Sequence, residues 1–368
     1  MKTDLSLKKL KGIKPKGKKV NLDSSFKEIV AFYNELKDTH LNYFAPNAAS
    51  GWAGAVRRVI NPLQSPQDPR PGYDDIYMQL RAKNIEYSQS HIHNFLNYFT
   101  CIDPVPGENE LFGVVSGCLL DFLTQKMRRN NEHCVMHVSD VDVPILFYGC
   151  NNIDTLVVDN HNERFLLSYA GVEGVIKNLI FRNANCSSGL LDLSSTKSID
   201  LIWVENCNAD MFGQGIMEDV GALNYLYVGG GSFGSLFYGT SEFVRCPGAS
   251  KFAYLENIKS DFLLTESRFD TVVVDDCEID HLLQKTKINH IVLPNHSLPN
   301  DYTQENDPVF FNIYEQEEGI KKQAELKEKF KVDIFKDLIS KIDYTKPTQT
   351  KKLIKKLNEE FNKLNFGK

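Results

Sequence analysis

The sequence predicts a mainly β protein: a parallel β-helix of about eight rungs, right-handed, flanked by helical regions at its N-terminal and C-terminal sides. Two observations predict it. The first is a repeat. An apolar strand ending in Asn, Asp or Gly recurs as "VMHVSD" (135–140), "TLVVDN" (155–160), "NLIFRN" (178–183), "LIWVEN" (201–206), "YLYVGG" (225–230), "FAYLEN" (252–257), "TVVVDD" (271–276) and "HIVLPN" (290–295). The corners fall at 140, 160, 183, 206, 230, 257, 276 and 295, at intervals of 19 to 27 residues. The second is a companion signal. Some five residues after most corners stands a further apolar cluster, as in "ILF" (145–147), "FLL" (165–167), "LLDL" (190–193), "MF" (211–212), "LFY" (236–238), "FLL" (262–264) and "HLL" (281–283). Each period then holds two short strands. A βα repeat would need about 10–15 residues of helical pattern in the same space. A rung of this kind cannot bury its inward face alone, so the rungs stack.

The region 133–298 resembles the parallel β-helix proteins, the broad group that includes pectate lyases and pentapeptide-type solenoids. The resemblance is one of fold and covers under half of the chain. No family motif accompanies it, so no functional residue is carried over.

The flanks divide by composition. Residues 1–20 read as a basic, disordered tail, rich in Lys and broken by Gly12, Pro15 and Gly17. Residues 21–132 read as a mainly helical capping region. Ser25 and Glu28 have capping-box spacing, and Phe26, Ile29, Val30, Tyr33 and Leu36 follow at helical intervals. "WAGAVRRVI" (52–60) suggests a short second helix, and Pro62, Pro66, Pro69 and Pro71 mark a loop. "YDDIYMQLRAKNIEYSQSHIHNFLNYF" and "GCLLDFLTQKMRRNN" are helical and rich in apolar residues. Residues 299–368 read as a helical, basic C-terminal region. Val332, Phe335, Ile339 and Ile342 form one stripe, and Leu353, Leu357, Phe361 and Leu364 another. Helices on both sides are expected to cap the open strand edges at the two ends of the solenoid.

Bulk properties exclude some classes. The 368 residues are 42% hydrophobic and 24% charged, an ordinary globular balance. No run of 18 apolar residues predicts a transmembrane helix, and the N-terminus has no apolar core of a secretory signal. The expectation is a cytoplasmic protein with no membrane partner. The eight cysteines (Cys101, Cys118, Cys134, Cys150, Cys186, Cys207, Cys246 and Cys277) include no CxxC pair, so free buried thiols are expected rather than zinc knuckles. Cys207 and Cys277 are expected to face inward. The net charge of −6 hides an asymmetry: residues 1–20 hold eight Lys and one Asp, residues 346–368 seven Lys and two Glu. An acidic body thus carries two basic ends.

Those ends supply the binding candidates: Lys8, Lys9, Lys11, Lys14, Lys16, Lys18 and Lys19, with Lys351, Lys352, Lys355 and Lys356. Lysine clusters give salt-dependent affinity for phosphate without sequence specificity. Arg57 and Arg58, beside Trp52, and Arg128 and Arg129 would extend a basic surface. The partner expected is a protein or ribonucleoprotein, with RNA or DNA met through the basic termini. The function expected is a non-catalytic binding or scaffold protein that needs no cofactor. An enzyme alternative is a carbohydrate-active lyase or glycosidase using Asp210, Asp261, Asp275, Asp276 or Asp280. Asp210, Asp261 and Asp280 each lie four residues after a corner, and stacked rungs would bring such carboxylates together. A structural subunit of a viral or filamentous assembly is a third possibility. His91 with His93, and His133 with Cys134 and His137, are weighed as metal ligands and set aside, because Cys134 faces away from its two histidines on a strand. "VGGGSFGS" (228–235) lacks the Gly-Lys-Ser/Thr of a phosphate loop and reads as a tight corner. Asn160, Asn183 and Asn206 are expected to stack as a ladder that satisfies turn backbone.

Overall fold

The computed structural model describes residues 23–49, 70–163, 165–167, 174–186, 196–213, 223–238, 250–265, 268–282, 287–295, 309–364 and 366. The N-terminal helices are α1 (Ser24–Ala49), α2 (Arg70–Lys83), α3 (Gln89–Phe99) and α4 (Glu108–Arg129). The strands are β1 (Val135–Ser139), β2 (Ile145–Leu146), β3 (Ile153–Asp159), β4 (Phe165–Leu166), β5 (Val175–Arg182), β6 (Asn185–Cys186) and β7 (Ser198–Phe212), then β8 (Leu223–Tyr238), β9 (Ser250–Thr265), β10 (Arg268–Asp275), β11 (Glu278–Leu282), β12 (Lys287–Leu293) and β13 (Val309–Glu315). Three helices close the chain: α5 (Gln316–Lys329), α6 (Val332–Ser340) and α7 (Pro347–Phe361).

The chain is a parallel β-solenoid. One sheet runs β1-β3-β5-β7-β8-β9-β10-β12-β13, every described pairing parallel. Registry is strict enough to follow one interior row from end to end: Met136, Leu156, Leu179, Ile202, Leu226, Ala253, Val272, Ile291, Ile313. Companion clusters form the second face, as β2 with β4, as β11 and as the far halves of β7, β8 and β9, with the short β6 paired beside β7; the expected cluster "LLDL" (190–193) lies outside the described residues. The rung count differs from the eight expected. Nine strands line the first face, while the second is paired without a break over five coils, β6 through β11. The ninth strand, β13, lies beyond residue 298, where helix is expected. "VFFNIYE" is an apolar run that the charged residues after it obscure.

The corners explain the repeat. Asp140, Asn160, Asn183, Asn206, Asn257 and Asp276 all adopt left-handed backbone with φ between 52° and 55°, and Gly230 has φ 68°. Asn, Asp and Gly are the residues that visit this region at least cost. Side chains then link neighbouring coils: Asn160 Nδ2 donates to Asp140 Oδ1 at 3.2 Å, Asn183 to Asn160 at 3.4 Å and Asn206 to Asn183 at 3.5 Å. Among the described residues, the ladder is not seen to satisfy turn backbone at the corners of Asn160 and Asn183. The corner N–H groups of Asn160 and Asn183 donate instead to the carbonyls of Arg182 and Glu205 in the next coil. The glycine run serves the corner: a Cβ on Gly231, whose φ is 113°, would stand 1.8 Å from the Cys207 carbonyl oxygen. Cys186, Cys207 and Cys277 face the interior, and burial pushes the Cys207 and Cys277 thiols up to about 12. Seven described cysteines are free thiols; Cys246 lies outside the described residues.

The N-terminal helices share one core with the solenoid interior. Helix α4 crosses β2 closely at Gly113 and Gly117. The Tyr148 N–H donates to the Gly113 carbonyl at 3.0 Å, and a Cβ on Gly117 would meet the Tyr148 oxygen at 2.0 Å. At the start of α1, the Phe26 N–H is accepted by Asp23, two residues before the expected Ser25–Glu28 box. The expected helix 52–60 lies outside the described residues.

The C-terminal helices do not cap an end. They run back across the outer face of the first sheet. Leu326 of α5, Phe330, Phe335 and Ile339 of α6, and Ile354, Leu357 and Phe361 of α7 pack on an outward row of Val157, Ile180, Trp203, Tyr227, Tyr254, Val273 and Val292, and on Leu201, Tyr225 and Phe252 beside it. Tyr225 meets Phe335 edge-on at 5.3 Å and Phe252 stacks on Phe330 at 3.9 Å. The sheet is therefore buried on both faces, which is why strands such as "LIWV" are apolar at every position.

Candidate nucleic-acid interface

Helix α7 is built to hold one face out. Pro347 occupies its first turn, where a missing N–H costs nothing. The preceding loop is fixed by Asp343, whose Oδ1 accepts the Thr345 N–H at 2.8 Å and hydroxyl at 2.7 Å. Those hydrogen bonds, with the Lys346 charge, lower its pKa to about 2. Thr350, Ile354, Leu357 and Phe361 are buried against the sheet, with Leu353 and Leu364 half-buried beside them. Ile354 thus joins the stripe of Leu353, Leu357, Phe361 and Leu364. Asn178 on β5 donates to Asn358 at 2.8 Å and fixes the helix across 180 residues of sequence.

The lysines of this region divide into two sets. Lys331 and Lys363 both bond Glu360, at 2.7 and 2.6 Å, and hold its carboxyl down at about 2. Lys336 bonds Glu256 on β9, Lys341 bonds Asp337, and Lys346 bonds Asp343. Lys351, Lys352, Lys355 and Lys356 are different. All four are exposed, on the face of α7 opposite its apolar stripe. Among the described residues only Lys355 has an ion partner, Glu359 at 4.0 Å. Positions four apart rise about 6 Å along a helix, so the four form one compact basic patch. Lys8, Lys9, Lys11, Lys14, Lys16, Lys18 and Lys19 lie outside the described residues, as do Trp52, Arg57 and Arg58. Arg128 does not extend the patch. It is turned inward onto Asp154 Oδ1 at 2.8 Å, Asn152 Oδ1 at 3.0 Å and two carbonyls. Arg129 is exposed and lines, with Asn84, Glu86, Phe122, Gln125 and Lys126, a cleft of about 150 Å³. Lys126 pairs there with Glu86.

The carboxylates fall into two places. Asp210 and Asp261 are exposed on the second face. Flanking pairs set Asp210 opposite Gly234, Gly234 opposite Asp261, and Asp261 beside position 280. Asp275 is elsewhere, on the first sheet beneath α5. It accepts from Tyr254 and Asn295 at 3.0 Å each and from Gln323, with Lys327 at 3.8 Å. Asp276 is an exposed corner residue with left-handed backbone. The five are not one cluster, because the corner turns Asp275 and Asp210 toward different faces.

The histidines have structural partners. His91 bonds Asp23 at 2.7 Å. His133 bonds Thr155 at 2.8 Å, and His137 bonds Asp159 at 2.6 Å, while Cys134 is buried in the interior core. No group of three or more His, Cys, Asp or Glu among the described residues could hold a metal. No described helix is long and apolar enough to cross a membrane.

Sequence reasoning misses a joint between sheet and helices. Arg182 Nε and Nη2 bond both oxygens of Asp159 at 2.6 Å, and the same guanidinium donates to the carbonyls of Ile339 at 2.8 Å and Ile342 at 3.0 Å. Burial raises the Asp159 pKa, but bonds from His137 and Arg182 outweigh it and hold the carboxyl below its ordinary value. The corner position of "FRN" hides this role, since an Arg there reads as a solvated turn residue. Compared with known proteins, the chain matches no protein-family model, no curated protein and no solved structure.

Proposed function

We propose that this chain is a non-catalytic binding protein that docks on an acidic, phosphate-bearing partner, a nucleic acid or ribonucleoprotein, through the outward face of α7. The observation that carries this is the division of the lysines. Lys331, Lys336, Lys341, Lys346 and Lys363 are used in ion pairs, whereas Lys351, Lys352 and Lys356 have no ion partner among the described residues and Lys355 has a distant one. A rigid solenoid beneath them holds the four charges in place, which limits the entropy lost on docking. The N-terminal lysines would add to the same electrostatic attraction. A cytoplasmic setting fits seven free thiols, most of them buried.

The test is binding of labelled RNA and duplex DNA across a salt series, with the full chain and with Lys351, Lys352, Lys355 and Lys356 all changed to Gln. The reading expects affinity that falls with salt, and a salt slope reduced by about 3 on single-stranded RNA and by nearly 4 on duplex DNA in the variant if all four lysines meet phosphate. Absence of salt-dependent binding, or a variant that binds as the wild type does, rejects it. The carbohydrate-active alternative rests on the row of Asp210 and Asp261. Loss of a polyuronate substrate that disappears in Asp210→Asn or Asp261→Asn would favour it instead.

A further inference from the structure

One flank of α7 carries more than its lysines. Lys352, Lys356 and Glu360 stand four residues apart, so they share a flank and rise about 6 Å at each step. Lys363 follows just past the end of the helix. Glu360 fixes where this flank points. Its carboxylate accepts from Lys363 at 2.6 Å and from Lys331 at 2.7 Å, and Lys331 stands in the turn between α5 and α6. The flank therefore faces that turn. Two ammonium groups share the one carboxylate, so one positive charge is left over. Lys329, the last residue of α5, is exposed and has no ion partner among the described residues. Its Nζ lies 5.0 Å from the centre of the Phe330 ring. With Lys352 and Lys356, the strip sets five lysines around Glu360.

An aromatic ring ends the strip. Phe366 stacks on Phe330 at 5.9 Å, with the two planes 27° apart, and leans on Phe361 at 5.5 Å. Phe330 in turn lies on Phe252 of β9 at 3.9 Å. Phe330 and Phe361 are 5% and 8% exposed, whereas Phe366 is only half-buried. Its ring is braced from behind by the sheet and meets solvent beside the lysines.

We propose that this strip is a single-strand site: the phosphates of a nucleic-acid strand follow Lys352, Lys356, Lys363 and Lys331, and one base stacks on the Phe366 ring. The inference rests on the reading of α7 as a phosphate-binding helix and adds the form of nucleic acid that it takes. Lysines alone attract single-stranded and duplex backbones alike. A half-open aromatic ring beside them discriminates. A base within a duplex is already stacked on both faces, whereas a base in a single strand has a face to give. Every base has such a face, so no sequence preference is expected.

The test is equilibrium binding of the full chain to a labelled oligouridylate and to an RNA duplex of equal length at one salt concentration, for the wild type, Phe366→Ala and Phe366→Trp. The wild type is expected to hold the single strand more tightly. Phe366→Ala should weaken the single strand about tenfold, the worth of one stacked base, and leave the duplex unchanged. Phe366→Trp should keep the affinity, and the single strand should quench its added indole fluorescence. That variant decides if Phe366→Ala loosens the end of α7. Equal affinity for both forms, a folded Phe366→Ala chain that binds the single strand as the wild type does, or an indole that is not quenched overturns the proposal. Those results leave α7 standing as a phosphate-binding helix. Absence of binding to either form rejects that reading and this one together.

Discussion

Arg182 touches four acceptors that belong to two separate parts of the chain: the Asp159 carboxylate on β3 and two carbonyls at the end of α6. Arg182→Met would leave the buried Asp159 with His137 as its hydrogen-bonding side chain among the described residues, and two helix carbonyls without this donor. Breaking a buried pair from one side costs roughly 3–5 kcal/mol; a urea midpoint lowered by an amount of that order is expected. Arg182→Lys restores little, since a single ammonium cannot fork across both oxygens. His161 supplies a pH test. Its ring is buried, Nδ1 donates to the Val141 carbonyl at 2.9 Å, and Nε2 has no hydrogen-bond partner among the described residues. Burial lowers its pKa below the ordinary 6.5. The unfolded chain therefore binds the proton more readily, and stability falls as pH drops through 6.5. Denaturation midpoints at descending pH should show that slope, and His161→Gln should make it shallower. An unchanged slope would contradict the neutral buried ring.

At the scale of elements, α6 is held by its apolar face as much as by Arg182. Phe335 is fully buried against Tyr225, so Phe335→Ala should cost about 3–5 kcal/mol and speed hydrogen exchange in α6 before it does so in β7. Equal acceleration everywhere would mean that the helix and sheet open only together. Gly117 makes the corresponding test on α4. Gly117→Ala drives a methyl into the Tyr148 carbonyl, and loss of most folded protein is expected. The coils themselves are legible in sequence because each corner demands one of three residue types. The left-handed corners after β2 and β4 are not, since Phe147 and Leu167 occupy them with φ of 54° and 55°. Bulky residues pay strain there, and only their complete burial offsets it. The lateral packing of α5, α6 and α7 had a signal. Trp203, Tyr225, Tyr227, Phe252 and Tyr254 make the outward rows of central strands as apolar as the inward ones, a pattern of sheets covered on both faces. The end-cap expectation overlooked it because amphipathic helices beside a solenoid suit either placement.

For the whole molecule, the helices divide two tasks. The N-terminal set covers one end of the solenoid, and the C-terminal set covers one side. That leaves the second face, the far end and the outward face of α7 as the available surfaces. Sequence located the four lysines of α7 correctly as a basic cluster, but only the fold separates them from Lys331, Lys336, Lys341, Lys346 and Lys363, which are tied to carboxylates. It also grouped Asp275 with Asp210, because spacing along a coil does not say on which side of a corner a side chain emerges. The C-terminal helices lie across the sheet, and one contact marks that placement. Lys336 on α6 and Glu256 on β9 are 80 residues apart and form an ion pair beside the Tyr227 ring. Thermal unfolding of Lys336→Glu, Glu256→Lys and the exchanged pair together measures that contact directly. Each single change should destabilise by about 1 kcal/mol or more, and the double exchange should recover most of the loss. Losses that simply add would show that the two residues do not meet, and that the helices lie elsewhere.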